Sequence, residues 1–176
     1  MPRTLIIPDL HNKVRKAEFL LAKLKGQYDR VCFLGDYFDD FDDTPAHAER
    51  VARWLRESLD RPERIHLLGN HDLAYLVPGR LTACSGFTIE KRHVIAEVLA
   101  DVPLSRFAIA VNIEGWLVSH AGFHRRFAEG KTPEELITMA NGALKRLVRG
   151  VDEPLFGIGY APPRIAGRGW HYVARF

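Results

Sequence analysis

Cysteine is scarce in this chain of 176 residues: Cys32 and Cys84 are the only two. They sit in dissimilar surroundings, which argues against a disulfide framework and reads as free buried thiols in a reducing compartment. No run of about 20 uncharged apolar residues occurs, and such a run is what a membrane-spanning helix needs. No block of five or more Lys or Arg occurs either. The net charge of +3 is too small to argue for nucleic acid, and acidic residues crowd Asp36 to Asp43. A Gly-x-x-x-x-Gly-Lys loop is missing, which weighs against a nucleotide-binding protein of that kind. The apolar run after Met1-Pro2-Arg3 is too short for a signal-peptide core, so the expected location is the cytoplasm, with no membrane partner.

What the chain does have is enough apolar surface to fold. Hydrophobic residues make up 47% and charged residues 27%, as in a soluble globular domain. No linker or repeat divides it, so residues 1–176 are expected to form one domain. Its motif-bearing core would be 1–122, and a helix and irregular tail would occupy 123–176.

Hydrophobic periodicity gives the order of elements. Thr4 to Ile7 reads as a short buried strand. Val14 to Lys25 has apolar residues at helical spacing, and Gly26 is a natural stop. Arg30 to Leu34 is a second strand, Pro45 to Leu59 a second helix, and Arg64 to Leu68 a third strand. This β-α-β-α-β order implies parallel pairing and an α/β sheet. Further on, Phe87 to Ala100 reads as helix. Arg106 to Asn112 and Gly115 to Ser119 read as paired strands with a turn at Ile113-Glu114. Thr132, Pro133 and Glu135 form a capping box that opens a helix running to about Arg149. After Gly150, repeated Pro and Gly predict mostly loop.

Four polar clusters each follow a predicted strand: Asp9-Leu10-His11, Gly35-Asp36-Tyr37-Phe38-Asp39, Gly69-Asn70-His71-Asp72 and Ser119-His120-Ala121-Gly122. In open α/β sheets, ligands gather beyond the carboxyl ends of the strands, so clusters distant in sequence can converge there. Carboxylate, imidazole and amide oxygen suit hard or borderline divalent cations. Any one cluster is ordinary. A fixed tetrapeptide such as Gly-Asn-His-Asp, however, arises by chance in a chain this long only on the order of 10⁻³ of the time.

In the order and form of these clusters, the chain resembles the calcineurin-like metallophosphoesterases. In the form and spacing of Ser-His-Ala-Gly it is also similar to the branch with bacterial serine/threonine protein phosphatases and diadenosine tetraphosphate hydrolases. The resemblance spans Asp9 to about Gly122. It implies a sandwich of two mixed β-sheets flanked by helices, and hydrolysis of a phosphoester by a hydroxide bridging two divalent cations. Mn is the foremost metal, with Fe, Zn, Ni or Mg as alternatives. It further implies that Asp9 and His11 hold the first metal, that Asp36 bridges both, and that Asn70 and His120 hold the second. His71 would be the general acid and Asp39 would orient it. Substrates would be a phosphorylated small molecule, a nucleotide or a phosphoprotein.

Two departures from that pattern stand out. The family ends its metal site with a late Gly-His, and no Gly-His dipeptide occurs here. His171 is the one histidine in the tail, which reads as shortened. The second sheet would then be incomplete or completed by another chain, as in a homo-oligomer. The alternative function is a catalytically impaired relative that binds metal or phosphate. The second departure is Asp40, which stands where the protein phosphatases carry a phosphate-clamping Arg. Arg80, Arg92, Arg125 and Arg126 are the candidate replacements, because guanidinium matches phosphate oxygens. Asp40, Asp42 and Asp43 read as a solvated acidic loop. Phe107 and Trp116 read as core, and His66 as a satisfied core or surface residue rather than a ligand.

Overall fold

A computed structural model describes residues 2–77, 84–151 and 153–156. They fall into two compact units, one ending at Ala108 and the other beginning at Ile109.

The first unit is built on a parallel three-stranded sheet in the order β1 (Thr4–Ile7), β2 (Arg30–Phe33), β3 (Arg64–His66). The register sets Ile7 beside Phe33 and Phe33 beside His66, so all three strands finish along one rim. As the central strand, β2 has Val31, Cys32 and Phe33 fully buried. Parallel pairing requires crossover helices, and both are present: α1 (Val14–Lys23) and α2 (Pro45–Leu59). On α2, Ala48, Val51, Ala52 and Leu55 form the buried stripe that the periodicity predicts, and Leu59 is buried with them. Thr44 caps this helix with help from His47, whose Nδ1 accepts the Thr44 backbone N–H at 3.1 Å.

Two further helices complete the first unit: α3 (Asn70–Leu76) and α4 (Ile89–Val98). The sequence reading left α3 as part of a polar cluster. It follows β3 after a short link and starts directly behind Gly69, so its first turn carries three of the four residues of the Gly-Asn-His-Asp motif. Beyond α4, Leu104–Arg106 is a 3₁₀ turn, so the strand expected to open at Arg106 begins only at Ala110. Phe107 is buried, and Leu67 bridges Ala108 in parallel.

The second unit holds an antiparallel hairpin of β4 (Ala110–Ile113) and β5 (Trp116–Ser119), then α5 (Arg125–Ala128) and α6 (Pro133–Val148). The hairpin turns at Glu114-Gly115, both at positive φ, one residue later than predicted. The Thr132 capping box is present: Thr132 Oγ1 accepts from the Glu135 N–H at 3.2 Å, and Glu135 accepts from the Thr132 N–H at 2.8 Å. On α6, Leu136, Ala140, Ala143, Leu144 and Leu147 are buried. Asn141 ties the helix to β4, accepting from the Ile109 N–H and donating to the Ala110 carbonyl. Trp116 is 76% exposed and does not fill a core as expected.

The architecture is therefore α/β with two sheets, as expected. Neither sheet is mixed among the described residues: one is wholly parallel and the other wholly antiparallel.

Candidate metal centre

The loops after β1 and β2 are bound to one another by backbone hydrogen bonds. The N–H groups of Leu10 and His11 both donate to the Asp36 carbonyl, at 3.0 and 2.8 Å, and the Asn12 N–H donates to the Tyr37 carbonyl at 2.9 Å. The third loop is attached by Asp72. Its carboxylate, fully buried, accepts the backbone N–H groups of Asp36, Tyr37 and Gly69, each at 2.8 Å. Burial and the nearby Asp36 charge push the Asp72 carboxyl up, and the three N–H donors act against that shift. The sequence reading gave Asp72 no role. Its place at the third position of α3 aims it back at the loop ends.

This stitching forces unusual backbone. His11, Asn12, Asp36 and Asp39 all have positive φ, at 39°, 64°, 50° and 66°. Left-handed conformations at non-glycine residues cost energy, and such outliers concentrate at functional sites. Three of the four are residues singled out above as ligands or as the partner of the acid.

The side chains converge accordingly. Carboxylate oxygens of Asp9 and Asp36 lie within 4.8 Å of one another. His11 Nε2 lies 3.9 Å from Asp36 Oδ2. His11 Nδ1 is 2.6 Å from the Asp39 carbonyl and 3.1 Å from the Phe38 carbonyl. A carbonyl only accepts, so Nδ1 donates, and Nε2 is the ring nitrogen turned toward Asp36. Metal-binding histidines are held in this way, with the second ring nitrogen donating to a backbone carbonyl or carboxylate. Two carboxylates and one oriented imidazole fit a hard or borderline divalent cation.

Beside them stands a second pair. His71 Nδ1 donates to Asp39 Oδ2 at 2.9 Å, and its ring meets that of His11 edge-on with centroids 5.1 Å apart. The His71 backbone N–H donates to Asp36 Oδ1 at 2.9 Å, which fixes the start of α3 on the Asp36 carboxylate. Asn70 precedes it at the first position of the same helix. Burial alone would lower the His71 pKa, but the hydrogen bond to Asp39 and the charges of Asp36, Asp39 and Asp72 outweigh it and raise it. Burial would raise the Asp39 pKa, but its four donors bring it down to about 2.

Those donors include residues that sequence reasoning missed. Besides His71, Asp39 accepts from Lys91 Nζ at 2.7 Å, Tyr75 Oη at 2.5 Å and Cys84 Sγ at 3.2 Å. Lys91 also donates to Asp43 at 2.8 Å, and Asp43 accepts from Asn12 Nδ2 at 2.8 Å. Asp43 is therefore a buried partner and not a solvated one, with its side chain 7% exposed. Lys91, Ile95 and Val98 are the buried residues of α4, at helical spacing. That spacing was the available signal, and the charge of Lys91 hid it.

The remaining candidates are placed as follows. Asp40 is paired with Lys13 at 2.9 Å, so its charge is matched. Arg92 is half-buried on α4, and Arg125 pairs with Glu129 at 3.1 Å. His124 caps α5 by accepting the Arg126 N–H. His66 is a satisfied core residue, bonded to Tyr37 and Ser58 and stacked on Phe33. Cys32 is a buried thiol, while Cys84 is only half-buried and donates to Asp39; neither is in a disulfide. His120 directly follows β5 in the second unit and is half-buried. Arg80 and His171 lie outside the described residues.

A family model described as calcineurin-like phosphoesterase matches residues 2–174. No curated protein matches the chain. A solved structure described as that of a "putative diadenosine tetraphosphatase" is 22% identical, with a TM-score of 0.39. The match covers 79% of this chain and 64% of the other, so the chain spans less than two thirds of that protein's length.

Proposed function

The chain belongs to the calcineurin-like phosphoesterase family, and from that premise we propose that it is a metal-dependent phosphoester hydrolase. The observation that carries the reading is the approach of Asp9 and of His11 to the Asp36 carboxylate, beside the His71–Asp39 pair. Asp9, His11 and Asp36 would hold one divalent cation. Asn70 would contribute to a second, which Asp36 would share, and His120 would join that set, as the family resemblance implies. When bound, such cations neutralise phosphoryl oxygens and acidify water.

The chain's own groups supply the rest. Asp39 holds the Nδ1 proton of His71, so Nε2 is the atom that can deliver a proton to a departing alkoxide. A general acid in that position typically contributes about 10²–10⁴-fold. The stitched loops keep these groups in place before substrate arrives, which is what preorganised catalysis requires. Asp40, held by Lys13, does not present an unmatched anion to a phosphate.

The test is hydrolysis of para-nitrophenyl phosphate and bis-para-nitrophenyl phosphate with Mn²⁺, followed by diadenosine tetraphosphate and a phosphopeptide. Turnover by the wild-type chain and none by Asp36→Asn is the expected result. Wild-type-like turnover by Asp36→Asn would remove Asp36 from the site. Absence of turnover by wild-type protein that carries metal would favour a binding protein.

A further inference from the structure

A lysine buried to 2% exposure is rare, and Lys91 is so placed while touching none of the proposed metal ligands. Its ammonium donates to Asp39 Oδ1 at 2.7 Å and to Asp43 Oδ1 at 2.8 Å. It sits in the first turn of α4, and its own N–H donates to the capping Thr88 Oγ1 at 3.2 Å. A cation in a helix's first turn opposes the helix dipole. A buried ion pair is also a poor device for stability alone, since apolar side chains of similar volume serve as well or better. Packing therefore does not account for a lysine at this position. Its two partners do.

Asp39 is the pivot. Its Oδ2 takes the His71 Nδ1–H, and its Oδ1 takes Lys91 and Tyr75. Its backbone carbonyl takes His11 Nδ1. One residue thus orients both imidazoles, from a left-handed backbone conformation that does not favour it. With its second oxygen anchored to α4, the carboxylate cannot rotate away from His71. Through Asp43 and Asn12, the same ammonium also reaches the residue after His11.

We propose that Lys91 is a positioning residue for the reaction: from α4 it locks the Asp39 carboxylate, and through it the ring of His71, in the orientation that hands a proton to the leaving oxygen. The inference rests on the phosphoesterase reading above, in which His71 is the acid.

The test compares two monoesters with Mn²⁺: para-nitrophenyl phosphate, whose leaving group departs without a proton, and a simple alkyl phosphate, whose leaving group needs one. Lys91→Met should lower kcat on the alkyl ester roughly 10-fold more than on the nitrophenyl ester, with KM little changed. His71→Ala should show the same pattern, and adding Lys91→Met to it should cost almost nothing further, as expected of residues acting as a unit. If Lys91→Met fails to fold, Lys91→Met/Asp43→Asn removes one charge of each sign and replaces it. A second readout is independent of turnover: proton exchange at the His71 Nδ1–H, followed by NMR in metal-free labelled protein, should quicken in the Lys91 variant.

Equal losses on both esters, additive losses with His71→Ala, or unchanged exchange at His71 would each overturn the proposal while leaving the phosphoesterase reading intact. Hydrolysis of neither ester by wild-type protein would overturn that reading, and this inference with it.

Discussion

Gly35 and Gly69 approach so closely that a Cβ on Gly35 would stand 2.2 Å from the Gly69 backbone nitrogen. A Cβ on Gly69 would stand 2.1 Å from Asp36 Oδ1. The loops after β2 and β3 therefore touch backbone to backbone, and this contact brings the start of α3 to the Asp36 carboxylate. Gly69→Ala should push that carboxylate off the His71 N–H. It should destabilise the protein by on the order of 3 kcal/mol or more, as steric overlap in a packed site does. Gly26 provides the contrast: it has a φ of +85° but nothing within 4 Å, so Gly26→Ala should cost only conformational strain, about 1 kcal/mol. Urea denaturation midpoints of the two variants would separate collision from strain.

Asp72 carries a comparable load through hydrogen bonds. Asp72→Ala leaves the N–H groups of Asp36, Tyr37 and Gly69 without their acceptor in a buried place. An unsatisfied buried donor costs about 1–3 kcal/mol, so the variant should lose on the order of 3 kcal/mol or more. Hydrogen exchange should show the loss first at those three amides. If they remain as protected as in the wild type, Asp72 is not what joins the loops.

His66 should make stability depend on pH. Burial pushes its pKa down to about 3 in the folded chain, and the charges of Arg64 and Arg106 act in the same direction. An unfolded histidine titrates near pH 6.5. Between those values the unfolded chain binds the extra proton. The contribution is therefore complete above about pH 6.5 and is lost as pH falls toward about 3, at up to about 1.4 kcal/mol per pH unit. In His66→Gln, which keeps polar atoms toward Tyr37 and Ser58, this part of the acid sensitivity should vanish. Guanidinium unfolding of both proteins from neutral pH down to about pH 4 checks it; parallel curves would contradict the assignment.

Much of this arrangement was legible in the sequence because its signals are local. The β-α-β-α-β order follows from short apolar runs and helical spacing, and the ends of α2 agree with the reading residue for residue. Asp9, His11, Asp36 and His71 announce themselves as polar residues just beyond strand ends. Helix α3 escaped because it spans only seven residues and opens with motif residues, leaving no apolar stripe long enough to detect. Lys91 and Asp43 escaped for a different reason. A charged residue on a surface-like helix reads as solvated until a partner distant in sequence is known, and Lys91 finds Asp39 across 52 positions. Asp40 was legible as an anomaly, but its neutralisation by Lys13 was not, since that pairing depends on the fold of two loops.

Metal should act on Asp9 with opposite signs in two states of the protein. Without metal, oxygens of the Asp9 and Asp36 carboxylates lie within 4.8 Å of one another, so Asp9→Asn, which removes one of two like charges, should slightly raise the Tm of metal-free protein. With metal, the same substitution removes a charged ligand and should lower the Tm gain that Mn²⁺ confers. A ligand at about 100 times its Kd stabilises the folded state by about 2.7 kcal/mol, so a tenfold weaker site forfeits about half of that. His11→Gln should lose the Mn²⁺ response without the metal-free gain, because it removes no carboxylate. Thermal unfolding of the three proteins with EDTA and with graded Mn²⁺ measures both effects at once. An Asp9→Asn curve that moves the same way in both conditions would show that its carboxylate does not face a cation.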